Sequence, residues 1–284
     1  MNLSYSETLI TATELIQHTH DPEWRIFDCR FSLTDGRDGP RAYAEGHIPN
    51  AIYLHLDGDL SGIKTGHNGR HPLPDRRNFR NRMANCGVDI NTQVVAYDDQ
   101  GGMFAARLWW ILRWLGHRQV AVLDGGLTAW RAASFPLEIG IPYFSPTDFI
   151  SQSGETVLTA DEVLAHVNQG DRLIIDARSA DRYAGQNETL DPVGGHIPGA
   201  INRFFRHNLD NMGYFKTPNQ LRTEFDALLH QTPANHVIHQ CGSGVTACHN
   251  LLAMEIAGLT GSCLYPGSWS EWCANPHRPM VVTG

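Results

Sequence analysis

VIHQCGSGVTACHNLLAM, residues 237–254, passes from an apolar run through a loop with two glycines into a segment whose Leu251, Leu252, Met254 and Ile256 follow helical spacing. Cys241 therefore opens a strand–loop–helix turn. The start of a helix leaves backbone N–H groups without intrahelical partners and adds the positive end of the helix dipole. Gly242 and Gly244 let several of those N–H groups turn inward around one centre, a geometry that favours an anion. A thiolate is such an anion, so this position keeps the Cys241 sulfur nucleophilic near neutral pH. The plainer reading, a cysteine that merely ends a core strand, leaves the two glycines and the helix start unaccounted for.

Outward from this turn, the two halves of the chain repeat. RIFDCR (25–30) matches LIIDAR (173–178) and GHIPNAI (46–52) matches GHIPGAI (195–201), at offsets of 148 and 149 residues. QVVAYDDQGG (93–102) answers HVIHQCGSGV (236–245), and VLDGGLTAW (122–130) answers CLYPGSWSEW (263–272). An offset of 142, which brings Trp130 onto Trp272, sets Asp99 opposite Cys241. A period near 145 residues is too long for a solenoid unit and fits two whole domains, as does the length of 284 residues. Between them, IPYFSPTDFISQSGET (141–156) is polar, with two prolines and a glycine, and has the composition of a linker. The expected organisation is a domain over 1–145, a linker over 146–156 and a second domain over 157–284.

Within each half, short β-branched runs alternate with segments of helical spacing. Arg25–Phe27, Gln93–Tyr97 and Val120–Leu123 read as buried strands, and Leu173–Ile175, His236–His239 and a strand ending at Tyr265 repeat the order. The fold class is α/β, twice over: a mainly parallel sheet flanked by helices in each domain.

Composition narrows the function classes. Hydrophobic residues make up 42% of the chain, enough for packed cores and too much for a disordered chain. Lys and Arg total 22 against 30 for Asp and Glu, a net charge of −8, which argues against a grip on nucleic acid or anionic membranes. The first thirty residues lack a basic start followed by an apolar run, and the most apolar stretch, Leu108–Leu115, is broken by Arg113. The six cysteines contain no CxxC pair, so a zinc knuckle is not expected and the thiols read as reduced, which suits a cytoplasmic protein. The densest histidine group, HNGRH (67–71), lacks a partner at ligand spacing and reads as a surface loop that could still border the cleft, not a metal site.

Two cysteine chemistries use a turn like that at Cys241. A tyrosine-phosphatase-type site needs an arginine six positions after the cysteine, and that position is Ala247. The shorter loop CGSGVT (241–246) resembles the active-site loop of the rhodanese superfamily, in its 3-mercaptopyruvate sulfurtransferase version. GHIPNA and GHIPGA resemble the family's first signature and YPGSWSEW (265–272) its C-terminal one, so the resemblance covers essentially the whole chain. It implies two tandem rhodanese-like domains, an inactive one followed by a catalytic one, and transfer of sulfur through a persulfide on Cys241. It implies no cofactor, and small-molecule partners: a sulfur donor, and an acceptor such as cyanide, a thiol or a reduced thioredoxin-like protein.

The resemblance also distributes roles. Arg182, in DARSADRY (176–183), takes that of a substrate-contacting arginine, and an arginine suits a keto acid because its planar fork bonds a carboxylate bidentately. Arg178 is the weaker candidate, since Arg30 repeats it in the inactive half and an arginine paired with a neighbouring carboxylate explains both. Ser243 either hydrogen-bonds the donor or protonates the leaving enolate, or is a loop hydroxyl that satisfies the backbone. Gly242, Gly244, Val245 and Thr246 complete the loop around the donor, with Thr246 also reading as a cap or packing group. His47 and Asp38 resemble a histidine and aspartate that act with the loop serine, although His196 repeats His47 and a structural role explains both. Trp269 and Trp272 read as packing groups, Pro266 stands where an aspartate is usual, and His239 and Gln240 replace smaller residues.

Positions 242 and 243 carry no basic residue, which favours 3-mercaptopyruvate over the thiosulfate dianion as donor. The alternatives are a thiosulfate-specific enzyme and a non-catalytic module that carries persulfide or binds a partner.

Overall fold

Runs of valine, isoleucine and alanine without polar alternation become strands covered on both faces, as parallel sheets require. In the computed structural model, which describes residues 5–282, they form two separate parallel sheets. The first contains β1 (Leu9–Ile10), β2 (Trp24–Asp28), β3 (Ala51–Tyr53), β4 (Gln93–Tyr97) and β5 (Val120–Leu123), in the order β1-β5-β4-β2-β3. The second contains β6 (Leu173–Asp176), β7 (Ile201–Asn202), β8 (Val237–Gln240) and β9 (Cys263–Leu264), in the order β7-β6-β8-β9. Every pairing between these strands is parallel. The second sheet thus repeats the β3-β2-β4-β5 core of the first. A single parallel bridge, Val157 to Leu264, stands where β1 pairs with β5.

The strand register corrects one correspondence. Asp28 pairs with Tyr97 and Asp176 pairs with Gln240. The N–H of Leu127 donates to the Asp98 carbonyl as the N–H of Trp269 donates to that of Cys241, both at 2.9 Å. The counterpart of Cys241 is therefore Asp98, not Asp99. The sequence comparison misplaced it because the segment from Asp98 to Trp130 is one residue longer than that from Cys241 to Trp272, and an offset read from the tryptophans slips by one at the loop.

The chain divides into two compact units. The first holds the chain up to Gly62, Pro74–Glu155 and Asn211–Tyr214; the second holds Ile63–Leu73, Thr156–Asp210 and Phe215–Gly284. Each sequence half thus lends a segment to the other unit. Much of the stretch expected as a linker lies along the first unit: the N–H of Thr147 donates to the Ala84 carbonyl (3.0 Å), that of Gln152 to Leu115 (2.7 Å), and Phe149 is buried.

The repeat extends to side chains. Asp28 and Asp176 each hold an arginine two residues on, Arg30 and Arg178, at 2.6 Å. His47 stacks on Tyr43 and His196 on Tyr183, with ring centroids 3.9 Å apart in both cases. The indole N–H groups of Trp130 and Trp272 donate to the carbonyls of Pro136 and Pro279, both at 2.8 Å, which fits the packing role expected of Trp272. No helix of the described residues is long and apolar enough to cross a membrane.

Candidate active site

β8 delivers Cys241 to the head of the helix Thr246–Ile256, and the segment after β9 fixes the loop between them. The Cys241 N–H donates to Ser268 Oγ (3.0 Å), which donates in turn to the Tyr265 carbonyl (2.9 Å). The carbonyls of Cys241 and Gly242 accept from the N–H groups of Trp269 and Ser270, both at 2.9 Å. Gly244 has φ +76°, and a methyl group there would lie 2.3 Å from the Pro266 carbonyl oxygen, so both its conformation and its surroundings require glycine. Pro266 thus meets the loop through its backbone. Trp269 is fully buried and donates from its indole to the Val193 carbonyl (2.8 Å), again a packing role.

The equivalent loop of the first unit shows what such a turn binds. The Asp98 carboxylate, completely buried, accepts four backbone N–H groups, from Gln100 (2.8 Å), Gly102 (2.9 Å), Phe104 (2.8 Å) and Ala105 (2.9 Å). Burial raises the Asp98 carboxyl above the ordinary aspartate value and the four donors pull the other way. In the second unit the helix begins five residues after Cys241, against seven after Asp98, and the N–H groups at the head of this shorter loop include those of Ser243, Val245 and Ala247. Among the described residues no side chain accepts from them, and Val245, at the N-cap position, supplies no capping group. A thiol is one atom shorter than a carboxymethyl side chain. A persulfide, Cβ–Sγ–S, has the reach of Cβ–Cγ–O, so an extra sulfur on Cys241 extends to the distance at which Asp98 places its oxygens. Cys241 itself is 2% exposed.

Three arginines and three carboxylates stand around this loop. Arg178 is tied to Asp176 and to the Gly195 carbonyl (2.7 Å) and lies 3.6 Å from Glu188. Its guanidinium faces the Trp269 ring at 4.9 Å. Burial opposes its charge, and the two carboxylates outweigh burial to leave its pKa raised. Arg30 repeats the bonds to aspartate and to a glycine carbonyl, which fits a structural pairing. Arg182 is the more available: its Nε and Nη2 donate to Glu188 (3.0 and 2.9 Å), and Nη2 lies 3.4 Å from Asp191. Burial raises the Glu188 carboxyl, but hydrogen bonds from the Leu190 N–H and from Arg182 reverse this and hold it below its usual range.

Ser243 Oγ is hydrogen-bonded to His71 Nδ1 at 2.7 Å, and both residues are buried. The histidine of this pair is not the one the sequence points to. His47 sits in the first unit with Nδ1 on the Tyr43 carbonyl (2.9 Å) and its ring stacked on Tyr43; Asp38 is half-exposed and accepts from Arg41 (3.2 Å). Neither is bonded to the other, and His196 repeats the His47 arrangement on the Tyr183 carbonyl (2.8 Å).

His71 and Arg70 come from HNGRH, expected as a surface loop. His67 is exposed, but the end of the segment turns inward. The Arg70 N–H donates to Ser270 Oγ (3.0 Å), and a methyl on Gly69, at φ +83°, would lie 2.7 Å from the Gly267 carbonyl oxygen. Nothing in the local sequence distinguishes a histidine that meets Ser243 from one facing solvent, since the partners stand 172 residues apart. No group of three or more His, Cys, Asp or Glu side chains is gathered to hold a metal ion among the described residues.

The duplicated fold and the cysteine loop mark a known family, and comparison with known proteins agrees. The rhodanese-like domain model matches residues 11–133 and 159–275, so the chain belongs to the rhodanese family. It is a rhodanese-type sulfurtransferase, an enzyme that moves sulfur through a cysteine persulfide, related to both 3-mercaptopyruvate and thiosulfate sulfurtransferases. It is 45% identical to a Pseudomonas aeruginosa protein named "Probable 3-mercaptopyruvate sulfurtransferase", over 98% of this chain and 99% of that one. The thiosulfate sulfurtransferase of Rattus norvegicus is 32% identical over 88% of this chain and 85% of its own. The crystal structure of SseA from Escherichia coli, from work on 3-mercaptopyruvate sulfotransferases, matches with a TM-score of 0.80 and 32% identity, covering 94% of this chain and all of that one.

Proposed function

We propose that this chain takes sulfur from 3-mercaptopyruvate onto Cys241 and passes it to a small thiophilic acceptor. The observation that carries this reading is the hydrogen-bonded Ser243–His71 pair at the loop of Cys241, beside a helix whose N-cap residue Val245 supplies no side-chain cap. The Cys241 thiolate attacks the sulfur of the donor, forming the S–S bond as the donor's C–S bond breaks. The electron pair of that bond leaves on the enolate of pyruvate. Ser243, hydrogen-bonded to His71, supplies a proton toward the enolate, which becomes pyruvate. The loop N–H groups stabilise the outer sulfur as an anion. An acceptor thiolate or cyanide then takes that sulfur, and the Cys241 thiolate is restored.

Arg182 binds the donor carboxylate, because its planar guanidinium matches a carboxylate and retains donors beyond those held by Glu188. The first domain, with Asp98 in place of the nucleophile, performs no transfer. The low exposure of Cys241 favours small acceptors such as cyanide or a low-molecular-weight thiol over a thioredoxin-like protein. Six free cysteines, all buried, suit the reducing setting of the cytoplasm.

The test is steady-state sulfur transfer to cyanide with 3-mercaptopyruvate and thiosulfate compared on one preparation. A kcat/KM clearly higher for the keto acid is expected. Preference for thiosulfate overturns the donor assignment, and no transfer from either donor overturns the enzymatic reading of this site.

A further inference from the structure

The stretch after Glu138 crosses the first unit as a strap fixed at its two ends. Glu138 exchanges two backbone hydrogen bonds with His47 (3.0 and 2.9 Å), and Thr147 donates its N–H to the Ala84 carbonyl (3.0 Å) and its hydroxyl to that of Val88. Between these anchors the backbone groups of residues 139–146 make no hydrogen bond among the described residues. Ile139, Ile141 and Tyr143 are nevertheless 75%, 87% and 85% exposed. Three large apolar side chains held in water within five residues mark a binding surface.

Between the strap and the body of the unit lies a cleft of about 360 Å³, lined by Tyr43, Ile52, Tyr53, Arg82 and Cys86 and by the strap itself. That volume suits a small molecule. Tyr43 and Tyr53 tie their hydroxyls to the carbonyls of Ala51 (2.8 Å) and Arg30 (3.0 Å), so what they offer the cleft is ring surface. The duplication does not account for this wall. Asp28 pairs with Tyr53, whereas Asp176 pairs with Asn202, whose amide bonds the carbonyls of Asp176 (3.0 Å) and Arg178 (2.8 Å).

The charge at the cleft is positive. Arg82 Nε donates to Asp59 (2.8 Å), but Nη1 has only the Cys86 sulfur (3.4 Å) and Nη2 only the Tyr53 carbonyl at 3.5 Å. Arg25 bonds the carbonyls of Cys86, Pro22 and Trp24 and no carboxylate, Asp89 reaching it through its field alone, and its guanidinium lies 4.0 Å from the Phe144 ring of the strap. Two guanidinium groups thus flank Cys86 with one carboxylate bonded between them, and Arg82 keeps N–H groups for a stronger acceptor.

We infer that this cleft is a ligand site of the first unit for an aromatic anion: the rings of Tyr43, Tyr53 and Phe144 pack against its body, Arg82 bonds its carboxylate or sulfonate, and Ile141 and Tyr143 close over it. The strap has no backbone bonds to break on closing, and closure takes its apolar side chains out of water. The site stands apart from the chemistry at Cys241.

The experiment titrates 8-anilinonaphthalene-1-sulfonate, which fluoresces in apolar surroundings, into the folded full chain, with indole-3-acetate and uncharged 3-methylindole as competitors. Arg82→Gln, Tyr143→Ser and Ile52→Trp are compared with wild type, with thermal unfolding and sulfur transfer recorded for each. One probe per chain is expected to bind with a Kd of roughly 10–100 μM. Arg82→Gln should weaken the probe and indole-3-acetate about tenfold and leave 3-methylindole within about twofold, a split that a merely structural loss does not produce. Ile52→Trp fills the cleft and should abolish binding; Tyr143→Ser, on an exposed side chain that leaves the core untouched, should weaken it about fivefold with transfer unchanged. No binding up to about 1 mM probe, an unchanged Kd in Arg82→Gln and Tyr143→Ser, or displacement of the probe by pyruvate and not by indole-3-acetate overturns the inference.

Discussion

The loops at Asp98 and Cys241 occupy the same place in two copies of one fold, yet one carries a carboxylate and the other a thiol. In the first, a carboxylate grown from the chain itself takes four N–H groups, and the loop becomes a sealed structural element. In the second, a shorter side chain leaves the matching donors for an incoming atom. The difference teaches what the proposed transfer needs: with a thiol in place of the carboxymethyl group the loop has no internal anion, and sulfur gained from the donor supplies one.

The largest test of this contrast is Cys241→Ser, which should lower transfer from any donor by roughly 10³-fold or more, because a hydroxyl is neither the nucleophile nor the sulfur carrier that a thiolate is. Steady-state rates with both donors check it, and full activity in the variant defeats the mechanism. Arg182→Ala removes a charge-assisted contact worth about 1.5–3 kcal/mol and should reduce kcat/KM for the keto acid by roughly 10- to 150-fold. Equal losses for both donors would show that Arg182 does not discriminate between them.

On the first loop, Asp98→Ala strands four buried donors and should cost a few kcal/mol of stability, on the order of 1–3 kcal/mol for each unsatisfied group before relaxation. Denaturant unfolding reads this loss, and the folded variant should keep its KM for donor. Asp99→Ala, one residue on and exposed, should alter neither stability nor turnover measurably.

Each unit also buries a histidine, and both make the protein acid-sensitive. Burial lowers His117 to about 4 and His239 to about 3. Between those values and the unfolded value near 6.5, the unfolded chain binds protons that the native state refuses. Their contribution to stability is therefore complete above pH 6.5 and is lost as pH falls. At pH 5 each should cost about 2 kcal/mol relative to neutral pH. His239 makes its nearest polar contact with Met254 Sδ (3.1 Å), so His239→Leu should reduce the acid loss by about its own share. Urea unfolding at pH 7 and pH 5 measures this, and an unchanged difference between the two pH values would show that His239 does not carry it.

Much of this was legible from residues alone. The buried strands Gln93–Tyr97 and Val120–Leu123 were marked by β-branched runs, and β8 differed from its expected span by one residue at each end. Arg178 was suspected of pairing with a neighbouring carboxylate because Arg30 repeats it, and it is bonded to Asp176. The serine's partner was not legible. His47 carried a motif and His71 did not, but motif strength reported on the stacking of His47 against Tyr43, a local contact, while the approach of His71 to Ser243 is a long-range one.

By itself the sequence determined the duplication and the α/β class and singled out Cys241 as the candidate nucleophile, because each follows from local signals: hydrophobic periodicity, glycines at a strand–helix turn, and a cysteine where the copy has an acid. Tertiary structure decided which copy residue answers Cys241, that residues 63–73 belong to the second unit, and that Arg70 and His71 meet Gly242 and Ser243. Those pairings join side chains some 170 residues apart. No spacing rule reports such contacts, since they exist only once the second unit has folded with residues 63–73 packed into it.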